Sequence, residues 1–159
     1  KLKHELLKME EVVEEAINSS LLSVENKNGK IELKVTEEMA PITGDRNHLI
    51  NVISNLIDNA IKYSNEAPQI VVSIKNNLDN ITIAVKDNGI GMTKEVQKRI
   101  FDTFYRATTG NLHDVKGFGL GLSYVRAIVE QHQGTISVES EINKGSTFTI
   151  QLPINKTIA

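Results

Sequence analysis

The sequence predicts a two-layer α/β sandwich, a mixed sheet of about five strands with helices on one face. Three observations carry this. Five short segments alternate apolar and polar residues, three longer ones repeat apolar residues at helical intervals, and their order is not the strand-helix-strand alternation of a dinucleotide-binding fold. The alternating segments are "KIELKV", "QIVVSIK", "NITIAVKD", "TISVES" and "STFTIQLP". One side of each is apolar: Ile31/Leu33/Val35, Ile70/Val72/Ile74, Ile81/Ile83/Val85, Ile136/Val138 and Phe148/Ile150/Leu152. The other side is mostly Lys, Thr, Ser, Glu and Gln, so a covering layer is needed on one face only.

The helices follow from spacing. Residues 2–24 place Leu6, Met9, Val13, Ile17 and Leu21 at helical intervals before "ENKNGK" breaks the pattern. "DRNHLINVISNLIDNAIKYS" is a second long helix and "GLSYVRAIVEQHQG" a third, with Gly134 as its C-terminal stop. "TKEVQKRI" reads as a short helix before the polar, glycine-bearing "RATTGNLHDVKG". Internal repeats and low-complexity tracts are absent.

With 159 residues and 40% hydrophobic content, the chain suits one domain over residues 1–159. It opens in a charged helical pattern without a Met, so a neighbour upstream is expected, and residues 1–10 read as the end of an upstream helix or linker. Lys and Arg number 18 against 20 Asp and Glu, a net charge of -2 that leaves no electrostatic footprint for nucleic acid. The absence of Cys excludes disulfides and thiolate metal sites. No apolar run reaches the roughly 18 residues of a membrane span, so this stretch is expected to make no direct membrane contact.

Three features carry chemistry. In "KGFGLGLS", Gly117, Gly119 and Gly121 lead into the third helix, whose free N–H groups and positive dipole end form an anion site suited to phosphate. The spacing matches neither dinucleotide nor P-loop motifs, and a flexible hinge explains the stretch alone equally well. On the second helix, Asn47, Asn51, Asn55 and Asn59 recur every four residues, and His48, Asn51, Asn55, Asp58, Asn59 and Lys62 share one stripe. Asn is a poor helix former and an unusual choice for a solvated face. Its amide oxygen suits Mg²⁺ that already carries phosphates, and Lys62 brings a positive charge to the same place. Third, Asp87 in "ITIAVKDNGIGM" is in phase with Ile81, Ile83 and Val85, so its carboxylate points to the apolar side and needs a donor there. The amino group of adenine is such a donor, with Gly89 and Gly91 admitting a flat ring, where an isolated Asp-Asn-Gly would read as a plain turn.

Together, "NLIDNAIKY", "DNGIGM", "RIFDTFYRA", "GFGLGL" and "GSTFTIQLP" closely resemble the catalytic, ATP-binding domain of bacterial sensor histidine kinases, in the wider superfamily of gyrase, mismatch-repair and chaperone ATPases. The resemblance covers most of the chain and implies the Bergerat-type ATP-binding fold with a mobile lid over roughly residues 93–116. It implies that Asn55 and Asn59 belong to the N box, with Asn59 the stronger Mg²⁺ ligand, Lys62 on phosphate and Tyr63 on the base. Asp87 would hold the adenine amino group, with Gly89 and Gly91 beside the ring and Thr147 reaching the pocket. Phe101 and Phe104 match the F box, and Arg106 is implied as the lid's phosphate-facing cation. Gly117, Gly119, Leu120, Gly121 and Leu122 would cradle the phosphates.

Hydrolytic relatives carry a Glu one turn before the N box; here that position is Asn51, whose amide cannot take a proton. That departure agrees with transfer to a histidine, by positioning and charge neutralisation from Mg²⁺, Lys62 and Arg106. The acceptor motif is missing: His4-Glu5 and His113-Asp114 lack the Arg-Thr-Pro that should follow, and they read as surface histidines, as do His48 and His132. The resemblance therefore implies an acceptor histidine in an upstream dimerisation and phosphotransfer domain, a response regulator as phosphoryl recipient, and a homodimeric full-length protein. It further implies a cytoplasmic module of a protein anchored in the bacterial inner membrane. Within the superfamily a protein-serine kinase, and outside catalysis a nucleotide-binding signalling module, are the alternatives.

Overall fold

The computed structural model describes residues 1–103 and 121–154. The elements run β1 (Glu5–Leu7), α1 (Met9–Asn26), β2 (Lys30–Val35), β3 (Ile42–Gly44), α2 (Arg46–Lys62), β4 (Gln69–Asn76) and β5 (Asn80–Lys86), then α3 (Lys94–Arg99), α4 (Gly121–Gln131), β6 (Thr135–Glu141) and β7 (Gly145–Pro153). Five strands form one mixed sheet in the order β2-β4-β5-β7-β6, with β2 parallel to β4 and every other pair antiparallel.

Alternation fixes which face is buried. The register sets Ile74 opposite Ile83, Ile83 opposite Ile150, and Val85 opposite Phe148, so the apolar sets of three strands merge into one surface. Onto it pack Val12, Val13 and Ala16 of α1, Leu49, Val52, Ile53, Leu56 and Ile57 of α2, and Val125, Ile128 and Val129 of α4, all buried. The opposite sheet face carries Ser73, Thr82 and Thr149, half-buried and without a covering layer among the described residues. The one-sided sandwich and all five expected strands are therefore present.

Three local expectations change. The first helix begins at Met9, not Leu2, because Glu5–Leu7 pairs antiparallel with β3, Leu7 opposite Ile42. Within residues 1–10, read from the sequence as the end of an upstream helix or a linker, Glu5–Leu7 forms a short strand, and Leu7 and Ile42 are both buried. At the end of α4 the left-handed residue is Gln133 (φ 59°), and Gly134 lies one position beyond, its N–H donating to Val129 O at 2.9 Å. Gly134 is needed because a Cβ there would run into the carbonyl of Gln151. His132 is also not a surface residue. It is 5% exposed, its Nε2 accepts from Asp45 N–H at 3.0 Å, and Nδ1 lies 2.8 Å from the Ile128 carbonyl, the geometry of a donating Nδ1–H.

Asp45 caps α2 by accepting from His48 N–H at 3.1 Å, and its other oxygen accepts from Lys3 N–H at 2.9 Å. Together with His132, this one carboxylate ties the N-terminal segment, α2 and α4 at a single corner. Ile83 sits fully buried at the centre of the sheet, so Ile83→Ala should cost about 2–5 kcal/mol of stability, read as a lower urea midpoint at unchanged slope.

Candidate functional site

α2 crosses the sheet with its apolar face down, so its polar edge ends beside the C-terminal end of β5. Between them, walled by the β5–α3 loop, α3, the first turn of α4 and the β6–β7 turn, lies a pocket. Ile90, Met92, Val96, Ile100, Leu122 and Phe148 make it largely apolar, and Asn59, Tyr63, Asp87, Thr93 and Ser146 supply the polar groups. Its empty space is ≈ 780 Å³ with the open mouth included.

Asp87 is the buried charge of this pocket, 9% exposed. Its Oδ1 accepts from Gly89 N–H at 2.8 Å and from Ser146 N–H at 3.1 Å. Both bonds fall on one oxygen, and Oδ2 has no protein donor among the described residues. Burial pushes the carboxyl above its ordinary range, and the two N–H bonds pull partly the other way. An acceptor at the edge of an apolar slot suits the exocyclic amino group of a flat base.

The loop after β5 is stitched to its neighbours by backbone. Ile90 N–H donates to Tyr63 O at 2.9 Å, and Asn143 N–H to Ile90 O at 2.8 Å. The two glycines expected to admit a ring also serve this stitching. A Cβ on Gly89 would lie 2.6 Å from Tyr63 O, and one on Gly91, at φ +73°, would strike the Glu141 carbonyl. Gly91 lines the pocket; Gly89 does not.

Asn59 and Tyr63 line the pocket. Asn55 stands one turn back: its Nδ2 donates to Asn51 O at 2.8 Å, and its Oδ1 lies 3.5 Å from the Cβ position of Gly121, where α4 begins. Lys62 is exposed at the last turn of α2 and outside the pocket lining. The expected single stripe divides. Asp58 turns to α1, accepting from Ser20 Oγ at 3.4 Å, and half-buried His48 meets the Tyr124 hydroxyl at 2.7 Å.

Thr147 is a correction. Strand alternation turns it to the open side of the sheet, opposite Lys86, and Ser146 and Phe148 line the pocket in its place. The signal was in the sequence: Ser146 is two residues before Phe148, and hence on the core face. Phe101 packs edge-on against Phe148 with ring centroids 6.1 Å apart. Phe104, Arg106, His113, Gly117, Gly119 and Leu120, and most of the expected lid, lie outside the described residues.

The family of histidine kinase-, DNA gyrase B- and HSP90-like ATPases matches residues 44–156, more than half of the chain. The chain is 46% identical over 157 residues to the sensor protein RprX of Bacteroides fragilis, covering 98% of this chain and 30% of that protein. It is 35% identical over 142 residues to the sensor-like histidine kinase SenX3 of Mycobacterium tuberculosis, covering 89% of this chain and 34% of that one. The chain thus spans about a third of these curated relatives. Among solved structures, the Acinetobacter baumannii histidine kinase AdeS superposes with a TM-score of 0.78 at 29% identity, over 98% of this chain and 70% of that one. The catalytic domain of histidine kinase ThkA gives a TM-score of 0.82 at 24% identity, over 95% and 97%, a likeness of fold.

Because Asp87 is raised, the folded domain holds its proton more tightly than the unfolded chain. The resulting penalty is absent below the ordinary carboxylate value of 3.8, grows as pH rises through the raised value, and is complete above it. Asp87→Asn keeps Oδ1 as acceptor for both N–H groups and removes the charge. Its stability relative to the parent should therefore increase as pH rises from 3.8 and then level off, measured by urea denaturation of the nucleotide-free domain; a difference constant from below 3.8 to neutral pH would contradict the buried-charge account.

Proposed function

We propose, since this chain belongs to the family of histidine kinase-, DNA gyrase B- and HSP90-like ATPases and is the catalytic module of a sensor histidine kinase, that its pocket binds Mg²⁺-ATP for transfer to histidine. The observation that carries the adenine assignment is Asp87 in the lining of an apolar slot, with Oδ1 taken by two N–H donors and Oδ2 left as an acceptor without a protein donor among the described residues. Tyr63, Ile90, Met92 and Phe148 enclose the base, and Leu122 brings the start of α4 to the same pocket.

The residues present fit a metal of the hard, oxygen-seeking kind. Asn55 and Asn59 offer neutral amide oxygens on the pocket side of α2, with the Asn55 oxygen aimed at the start of α4, where anionic phosphate is favoured. Mg²⁺ bound there would neutralise phosphate charge as the γ-phosphoryl group departs. Lys62, together with Arg106, Gly117, Gly119, Leu120 and Gly121 from the sequence, is assigned to the phosphates.

The acceptor is a histidine on the dimerisation and phosphotransfer domain of the full-length protein. Its neutral ring nitrogen forms a bond to the γ-phosphorus, the bond to the β,γ-bridging oxygen breaks, ADP leaves with the electron pair, and the ring proton passes to solvent. The fold contributes positioning and electrostatics, and Asn51 offers no base for water. A response regulator then receives the phosphoryl group. The same reading makes the whole protein a homodimeric sensor anchored in the bacterial inner membrane, with this module on the cytoplasmic side. The names of its longer relatives, a sensor protein and a sensor-like histidine kinase, support the sensor role alone. Among the described residues, no helix is long and apolar enough to cross a membrane.

Calorimetric titration with a non-hydrolysable ATP analogue, with and without Mg²⁺, tests the pocket. Adenine-selective, Mg²⁺-sensitive binding is expected, and a folded sample that binds nothing would defeat the assignment. Asp87→Asn places an amide N–H₂ where the base amino group must donate, and its affinity should fall at least about tenfold. Asn59→Ala should separate the two roles. Transfer of labelled γ-phosphate to a supplied acceptor domain should drop by about two orders of magnitude, as for loss of a charge-stabilising group, while Mg²⁺-free adenosine binding stays within about threefold of the parent. Equal loss in both assays would refute the division.

A further inference from the structure

Beneath the floor of the pocket, three groups converge on the hydroxyl of Ser140 in β6. Its Oγ lies 2.8 Å from Met92 N, 3.0 Å from Gly145 O and 2.7 Å from Ser146 Oγ. A backbone N–H can only donate and a carbonyl can only accept, and a serine hydroxyl carries one proton. Satisfying all three contacts leaves a single arrangement. Ser140 accepts from Met92, gives its proton to Gly145, and accepts the proton of Ser146.

That arrangement has a consequence on the pocket side. Ser146 is 8% exposed and lines the pocket. With its proton turned inward to Ser140, its hydroxyl meets a ligand with lone pairs alone. Asp87 is bonded to the same residue through Ser146 N–H, and Oδ2 likewise offers an acceptor. Two neighbouring acceptors favour a base that brings hydrogens to the inner end of the slot, and they repel one that brings a carbonyl oxygen. Gln97 of α3 secures the assembly, its Nε2 donating to Met92 O at 3.0 Å and to Ser140 O at 3.1 Å.

We propose that Ser140 is a positioning residue for base selectivity: by taking the Ser146 proton it fixes Ser146 as an acceptor, so the site prefers a 6-amino purine to a 6-oxo purine. This rests on the nucleotide reading above. Ser140 touches no ligand and acts through Ser146.

The test compares the β,γ-imido analogues of ATP and ITP, which differ at the base in amino against oxo, by calorimetry on this chain. The parent should prefer the amino form. Ser140→Ala frees the Ser146 proton to donate into the pocket, so the ratio of the two affinities should fall at least about fivefold, while Ser140→Thr, which keeps the hydroxyl, should preserve it. In Ser146→Ala the ratio should also fall, and adding Ser140→Ala should change it no further, since the two act in series. A folded Ser140→Ala whose ratio stays within about twofold of the parent overturns the proposal, as does a Ser140→Ala effect that persists in full without Ser146. If Ser140→Ala fails to fold, Ser146→Ala decides, an unchanged ratio again overturning it. A parent that binds both analogues equally sinks this inference alone; a folded parent that binds neither sinks the nucleotide reading with it.

Discussion

A carboxylate placed in phase with a hydrophobic strand is the constraint on which the pocket depends. Asp87 follows Ile81, Ile83 and Val85 on the face of β5 that packs against α2, so the fold must either satisfy it or leave a destabilising charge. Two N–H groups satisfy half of it, both on Oδ1. Those donors come from the loop after β5 and the start of β7, so binding the carboxylate also fixes the two segments that wall the pocket. The other half is left for a ligand. A site of this kind stores part of its binding energy as unfinished desolvation, which explains why function and stability pull against each other at Asp87.

Most of the fold was legible in the sequence because alternation and helical spacing are local signals. Five strands and three helices follow from them, and Asp87, Asn59 and Tyr63, which the sequence singled out, line one pocket. The failures have physical reasons. β1 is three residues long, and Leu6 fits a helix starting at Leu2 as well as a strand; only its pairing with Ile42–Gly44, more than thirty residues away, decides. Gly89 and Gly91 also answer to the protein's own backbone, which the sequence does not show: the carbonyls of Tyr63 and Glu141 lie where a Cβ would stand. Thr147 was assigned by likeness of motif where the alternation through Phe148, Ile150 and Leu152 selects Ser146. His132 was equally legible: it follows Val125, Ile128 and Val129 at helical intervals, on the buried stripe.

α2 does two tasks with one sequence. Leu49, Val52, Ile53, Leu56 and Ile57 hold it to the sheet, and the residues between them meet α4 and the pocket. α4 runs back along it, with Gly121 beside Asn55, Tyr124 bonded to His48, and His132 bonded to the backbone of Asp45. Polar contacts at both ends and buried Val125, Ile128 and Val129 between them set the register of the two helices. That register delivers Leu122 to the pocket wall and the start of α4 to the Asn55 amide.

The choice of neutral amides along α2 bears on where a phosphoryl group goes. A carboxylate in place of Asn55 or Asn59 would still ligate a cation, but it would repel the phosphates and could activate water. The carboxylate that α2 does carry near this level, Asp58, is turned to Ser20 on α1. Asp87, the carboxylate of the pocket lining, has Oδ1 occupied by two N–H donors, and its other oxygen is the one proposed for the base. The proposed phosphate end is therefore built to hold charge in place without offering a base to water. On the proposed reading, such a site withholds hydrolysis and leaves the reaction to a nucleophile that needs no deprotonation, such as the neutral ring nitrogen of a histidine.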